Sequence, residues 1–362
     1  MKNLKYGLLL LLTLFLTTSS AQKRLKTPLA FVPADSVVLW GESYNDLRGM
    51  ALQVDKTLQA RTISPAGKDY KKELKTWKKE TLAGATLTGA SANAEGNDEV
   101  IIKSALLVEN AGRLFLESAD CHFFNVAERT IWGDLLRKTI SASPASFEKH
   151  TAAQALVDAT GMIYATANED LWVNLFTNST THVKTGNLNV IVDQLTGMPL
   201  EGRVKIRLTG YSRGRFHLRL HIRIPGWATG TFEPQRKYVL VEQTGEKSCP
   251  VFYINGRESL TTVIENGYFI IDRTWNTGDE VLFELPTNAY FVKEQGKKKQ
   301  AETTFHLFRG MLPYTTQTAD RALRITPNTK LTEKENEDGV VLYETKDEQG
   351  KTTTWTPYII SR

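Results

Sequence analysis

The chain has 362 residues, 41% hydrophobic and 23% charged, with 45 Lys and Arg against 40 Asp and Glu. That length suits about two domains with cores that need no covalent staples, and a net charge of +5 is too slight to argue for a nucleic-acid partner. Only two cysteines, Cys121 and Cys249, are present, with no CxxC or Cys-Cys pair, so no disulfide framework, no metal site and no cofactor are expected.

Lys2 and Lys5 precede an apolar run, Gly7 to Leu16, and the small residues Ser19-Ser20-Ala21. This order predicts a signal peptide over residues 1–21, cut near Ala21, and a secreted or periplasmic protein. The apolar run is shorter than the roughly 20 residues a membrane span requires, and no second long run follows, so no membrane span is expected. Loss of Lys2 and Lys5 lowers the formal charge from +5 to +3.

Residues 22–103 read as an extended and helical N-terminal segment. Thr27 to Gly41 is extended with a short strand, and helical patterns cover 45–58 and 68–81. Lys68, Lys71, Lys72, Lys75, Lys78 and Lys79 interleave with Asp69, Glu73 and Glu80, as on a solvated helix face. The small, polar, Gly-rich stretch 82–98 predicts a flexible loop.

Three helices are expected between 104 and 161. In 104–118, Leu107, Ala111, Leu114 and Phe115 share one face, and in 121–140 so do Phe124, Ala127, Ile131 and Leu135. The third, about 146–160, stops at Gly161. From Met162 the pattern turns to short strands. A β-sandwich is expected over 162–290 and further strands over 291–362. His217, Arg219, His221 and Arg223 alternate with Leu218, Leu220, Ile222 and Ile224, a strand with one wet face. Pro225-Gly226 stops that strand, and Asn255-Gly256 predicts a tight hairpin. The fold class read from these patterns is mainly β, an antiparallel β-sandwich, with helices at its N-terminal side.

The motif series RIPGW (223–227), a short strand ending in Asn255-Gly256, and GYFIIDRTWNTGD (267–279) resembles the sandwich of glycoside hydrolase family 127, the β-L-arabinofuranosidase-like enzymes. Glu128-Arg129-Thr130-Ile131-Trp132-Gly133 is similar to the family's Glu-Arg-x-Leu-Tyr-Asn helix motif. GMIYAT (161–166) with DLWVNLF (170–176), Arg309-Gly310 with Leu312 and Tyr314, and Thr356-Pro357-Tyr358 with Arg362 resemble further family segments, in the family's order. The last implies a native C-terminus. The resemblance implies that 104–161 is the remnant of an (α/α) barrel most of whose front half is missing. It also implies where the family's zinc ligands would fall: a Glu-x-Cys element near Val100 to Lys103, and a Cys-Cys pair, one of them the nucleophile, near Phe147, Glu148 and Lys149. No cysteine stands at either place, and a nucleophilic thiolate needs such a metal or cationic neighbour.

Glu128 is the first catalytic candidate that the resemblance implies, at a position where the family's glutamate faces the sugar. A helix-surface glutamate paired with a base is the alternative. Glu128, Trp132 (one turn on, on the same helix face, with core packing as the alternative) and Trp172 (in an alternating strand) are candidates for contacting carbohydrate. Glu148 with Asp158 offers a carboxylate pair for glycoside hydrolysis. Trp227 and Trp275 are read as packing residues. The six histidines show no ligand spacing, and His217 with His221 is read as part of a solvated face. Cys121 and Cys249 form one disulfide or stay as two thiols, and their placement in different segments favours thiols.

Together these readings point to a secreted, truncated, non-catalytic relative that binds or helps process arabinose-containing plant-type glycans, alone or as a homo- or hetero-oligomer. The alternatives are an active glycosidase with a remodelled carboxylate site, and a degenerate relative with structure alone.

Overall fold

In a computed structural model, residues 28–358 are described except 42–45, 84, 87–88, 92–96, 144, 212–213, 232–237, 242–249, 260–262, 295–304, 317–328, 338–339, 347–349 and 351. The expected signal peptide, Cys249 and Arg362 lie outside the described residues.

Two sheets form the sandwich. The first has the order Ala30–Phe31, Tyr164–Ala167, Asp170–Val173, Arg215–Arg223, Tyr268–Asn276, Ile264–Glu265. Its pairings are antiparallel apart from Asp170–Val173 against Arg215–Arg223. The second runs Arg257–Glu258, Phe252–Ile254, Asp279–Glu284, Arg203–Gly210, Leu188–Thr196, Ser179–Thr185, Val37–Leu39. Alternation aims one side of each sheet inward. Leu218, Leu220, Ile222, Leu171 and Val173 from the first thus share a core with Val190, Val192, Ile206, Leu208 and Phe283 from the second, all 1% exposed or less. Phe252 stacks on Phe269 across the gap at 3.8 Å. Trp275, fully buried, donates its Nε1 to Leu218 O at 2.9 Å, so its packing role stands.

The Asn255-Gly256 turn is as expected, with φ of 50° and 76°, the left-handed pair a type I′ hairpin requires. Asn266-Gly267, joining Ile264–Glu265 to Tyr268–Asn276, is a second such pair, with φ of 50° and 78°.

A third sheet, Tyr238–Leu240, Ala289–Glu294, Phe305–Arg309, Leu312–Thr316, Thr352–Pro357, Val341–Lys346, Thr332–Glu335, holds the C-terminal strands. Its first member comes from the segment expected to belong wholly to the sandwich, so the boundary near 290 is crossed by one strand.

The helices lie at one end of the sandwich. They are Leu47–Val54, Tyr70–Ala83, Asn97–Ser118, His122–Thr130, Leu136–Ser141 and Phe147–Thr160. The helix expected from 104 starts seven residues earlier, at Asn97, with Asp98 and Glu99 in its first turn, where acidic groups suit the helix dipole. Within the loop expected at 82–98, Ala85–Thr86 pairs with Gly89–Ser91. Between His122–Thr130 and Leu136–Ser141 the helix widens into a π turn, Ile131–Leu135, a feature found disproportionately near functional positions. Phe115 is the hinge of helix and sheet, meeting Phe31 at 5.8 Å, Phe124 at 4.9 Å and Tyr268 at 6.2 Å.

No helix among the described residues is long and apolar enough to cross a membrane.

Candidate functional site

Strand Arg215–Arg223 enters the structure wet and ends dry. Its His217 and Arg219 side chains are 48% exposed, while His221 is 8% and Arg223 0% exposed. Period-2 alternation alone predicted one wet face for all four residues. The helices cover its second half, so Arg223 is a fully buried cation.

A buried guanidinium is tolerated only when its charge and donors are met. Arg223 Nε donates to Asn174 O at 2.5 Å, Nη1 to Asn125 Oδ1 at 3.3 Å, and Nη2 to Glu128 Oε1. The ring of Phe176 lies under it at 5.7 Å. The second oxygen of Glu128 accepts from Trp227 Nε1 at 3.0 Å. Asn125 Oδ1 also accepts from Gly226 N at 3.0 Å. A Cβ at Gly226 would stand 2.6 Å from Thr231 O and 2.8 Å from Asn125 Nδ2, so glycine is required there for the approach. Asn174 completes the shell, donating to Met162 O at 3.0 Å and accepting from Tyr268 OH at 2.8 Å. Burial pushes the Tyr268 hydroxyl well above the ordinary tyrosine range. The RIPGW turn is thus clamped to helix His122–Thr130 through Glu128.

Glu128 is 1% exposed, with both oxygens engaged. It is neither on a helix surface nor open to a ligand. Trp132, in the π turn, is 3% exposed. Trp172 was expected as an open platform, but it is 7% exposed and stacks on the His221 ring at 4.2 Å. The strand's outward face is closed at that point, so the expectation of exposure is corrected. Beside the clamp, Asn125, Arg129, Trp227, Thr231, Tyr290 and Phe308 surround a cavity of about 20 Å³. That is room for about one water and far below the roughly 300 Å³ at which small-ligand pockets begin.

Glu148 and Asp158 do not form a pair. Glu148 Oε2 accepts from Lys138 Nζ at 2.8 Å, and Asp158 is held by Arg61 at 2.5 Å and Gln154 at 2.9 Å. Ten residues apart on one helix, they are separated by about 15 Å along its axis, beyond the roughly 5–9.5 Å of glycosidase carboxylates.

The positions implied for zinc do not fit the metal. Ile101 is buried, Ile102 and Phe147 are exposed apolar side chains, and Glu148 is already neutralised by Lys138. Zinc sites of this kind require thiolate or imidazole donors.

Sequence spacing passed over one group. Among the described residues, Asp120, Cys121 and His122 bring a carboxylate, a thiol and an imidazole within 4.8 Å of one another. Three consecutive residues match no ligand motif, and only the fold turns them together. Asp120 Oδ1 accepts from His122 N at 3.0 Å and lies 2.6 Å from its Nδ1, which fastens the start of helix His122–Thr130. Cys121 is 3% exposed. Its Sγ lies where a Cβ on Gly267 would come within 1.9 Å.

The family model for the middle domain of the GH127 β-L-arabinofuranosidases matches residues 170–287. The fold is similar to a solved GH127 β-arabinofuranosidase, with a TM-score of 0.66 at 21% identity over 86% of this chain and 56% of that one. A GH127 β-L-arabinofuranosidase from Geobacillus stearothermophilus T6 gives 0.62 at 18% identity, over 87% and 56%. A third structure, described as a glycoside hydrolase, gives 0.56 at 16% identity, over 76% and 51%. No curated protein matches. The chain spans a little over half the length of the first two. The two-sheet sandwich is thus similar in fold to these glycoside hydrolases, and its residues 170–287 match the GH127 middle domain.

Proposed function

We propose that the chain is a secreted, non-catalytic family 127-like protein that binds arabinose-containing glycans. The observation that carries this reading is the closure of the Glu128 site. A general acid must come within about 2.6–3.2 Å of the atom it protonates, directly or through one water. Here both carboxylate oxygens are taken by Arg223 and Trp227, and the adjoining cavity of about 20 Å³ admits no sugar ring. The lack of a thiolate at the positions implied for the nucleophile supports the same conclusion.

The glycan part of the proposal is supported by the GH127 middle domain and by neighbours described as a β-arabinofuranosidase and a β-L-arabinofuranosidase. Export is supported by the basic, apolar and small-residue order of residues 1–21. The test is a glycan array on the purified protein beside a hydrolysis assay on β-L-arabinofuranosides. Binding without turnover is expected, and turnover by the unmodified protein would refute the proposal.

A further inference from the structure

The open half of strand Arg215–Arg223 lies at the end of the sandwich away from the clamp, where a polar recess of ligand size is built from both sheets. The turn Asn168–Asp170 comes from the first sheet, and the hairpin tip Gly186–Asn187 from the second. His217 and Arg219 form the floor of a recess of about 310 Å³ between them. We propose that this recess is a binding site for a neutral sugar, one or two rings of an arabinose-containing chain. The proposal rests on the glycan-binding reading above and gives it a location.

The recess is held in shape before any ligand arrives. Asn168 and Gly186 take φ of 56° and 52°, which sets the two tips, and a Cβ at Gly186 would meet nothing within 4 Å. Arg219 places Nε and Nη2 on Asp272 Oδ2 at 3.0 and 2.8 Å, with Asp170 at 3.7 Å. His217 bridges Glu169 at 3.3 Å and Asp272 at 3.0 Å. Asp170 is steadied from the dry side, where His221 Nε2 lies 2.7 Å from its Oδ1 and the His221 ring stacks on Trp172. The Arg219 pairing holds the Asp272 carboxyl below its usual range. Charged groups fixed by their neighbours give up little freedom when a ligand binds.

Charge and geometry select the ligand. Three carboxylates, Glu169, Asp170 and Asp272, surround one guanidinium, so an acidic sugar would be repelled. A bare cation is disfavoured as well, because His217 and Arg219 hold the carboxylates apart. Among the described residues, three or more His, Cys, Asp or Glu ligand atoms come within 4.8 Å of one another only at Asp120–His122. What remains is a set of alternating acceptors and donors, the carboxylates with Arg219, Asn168 and Asn187. Neighbouring hydroxyls of a neutral sugar, each both donor and acceptor, match such a set. The volume sits at the lower end of the range for small-ligand sites.

The test uses the full chain in isothermal titration with a neutral arabinan oligosaccharide and an oligogalacturonate. Asn187→Trp fills the recess from an exposed position, and Arg219→Ala and Glu169→Gln remove its polar groups. Melting curves confirm that at least one variant is folded. Binding of the arabinan by the parent, at least tenfold weaker in the folded variants and absent for the oligogalacturonate, is the expected result. Parent-like affinity in the folded variants would overturn the recess while leaving the glycan-binding reading intact, more so if Tyr211→Ala, at a 68% exposed ring, abolished it. Stronger binding of the oligogalacturonate would overturn the neutral-sugar assignment. A parent that binds no glycan would overturn the recess and the reading together.

Discussion

Replacing Glu128 by Gln tests whether this carboxylate is structural. The substitution keeps the side-chain shape but removes the charge facing Arg223, which is 0% exposed. Glutamine has one acceptor oxygen where the carboxylate has two, and both present oxygens receive a donor, from Arg223 and Trp227. One of those donors must lose its partner, and the guanidinium loses its countercharge. Removing one member of a buried pair costs about 3–5 kcal/mol, including about 1–3 kcal/mol for the stranded donor. With a urea slope of about 3 kcal/mol/M, the midpoint should fall by about 1 M or more. Glu128→Leu combined with Arg223→Met should unfold later than either single variant, since a buried pair exchanged as a whole for apolar groups is far better tolerated. Urea denaturation followed by circular dichroism reads both effects. A midpoint for Glu128→Gln within about 0.5 kcal/mol of the parent, the range of an ordinary surface change, would refute the clamp and reopen Glu128 as a site residue.

Three further outcomes follow from the same geometry. Gly256→Ala should cost about 1–2 kcal/mol from the left-handed backbone alone, since its Cβ meets nothing within 4 Å. Gly267→Ala should cost more because Cys121 Sγ is in the way. Cys121→Ala should recover part of that loss, a non-additivity of about 0.5–3 kcal/mol read from denaturation midpoints; strict additivity would deny the contact. Burial raises the hydroxyls of Tyr164, Tyr268, Tyr290 and Tyr343, and that of Tyr314 to about 12. An unfolded tyrosine loses its proton near 10, so the folded state holds more protons above that pH. The stability from these groups is complete below pH 10 and is lost as pH rises from there through the raised values. Absorbance at 295 nm should therefore show a late tyrosine step coincident with loss of circular dichroism, and a single smooth titration near pH 10 in a folded protein would contradict it. Treatment with a zinc chelator should leave the melting temperature unchanged, because the positions implied for zinc offer no thiolate; a fall accompanied by stoichiometric zinc release would contradict it.

The parts of the fold that were legible in the sequence are those with a local physical cause. The Asn255-Gly256 turn, the inward alternation of Leu218, Leu220 and Ile222, and the apolar faces of 104–118 and 121–140 all read correctly because turn chemistry and periodicity act over a few residues. What stayed hidden depends on which surface another element covers. Arg223 and Trp172 look like members of a wet face, but Asn125 and Glu128 of the packed helix meet the first and the His221 ring stacks on the second. The partnership of Glu128 with Arg223 joins residues 95 positions apart, which no local spacing shows. The Ile131–Leu135 π turn has no distinctive composition. Nor does the sequence reveal that strand Tyr238–Leu240 leaves the sandwich for the third sheet.

The most direct test of the account is to incubate the purified full chain with β-L-arabinofuranosides and measure released arabinose beside glycan binding on the same preparation. Binding with no release above the buffer blank is predicted, because Glu128 is sealed by Arg223 and Trp227. Sustained release by the unmodified chain, lost in a Glu128→Gln variant that still binds glycan and retains its circular dichroism, would contradict it.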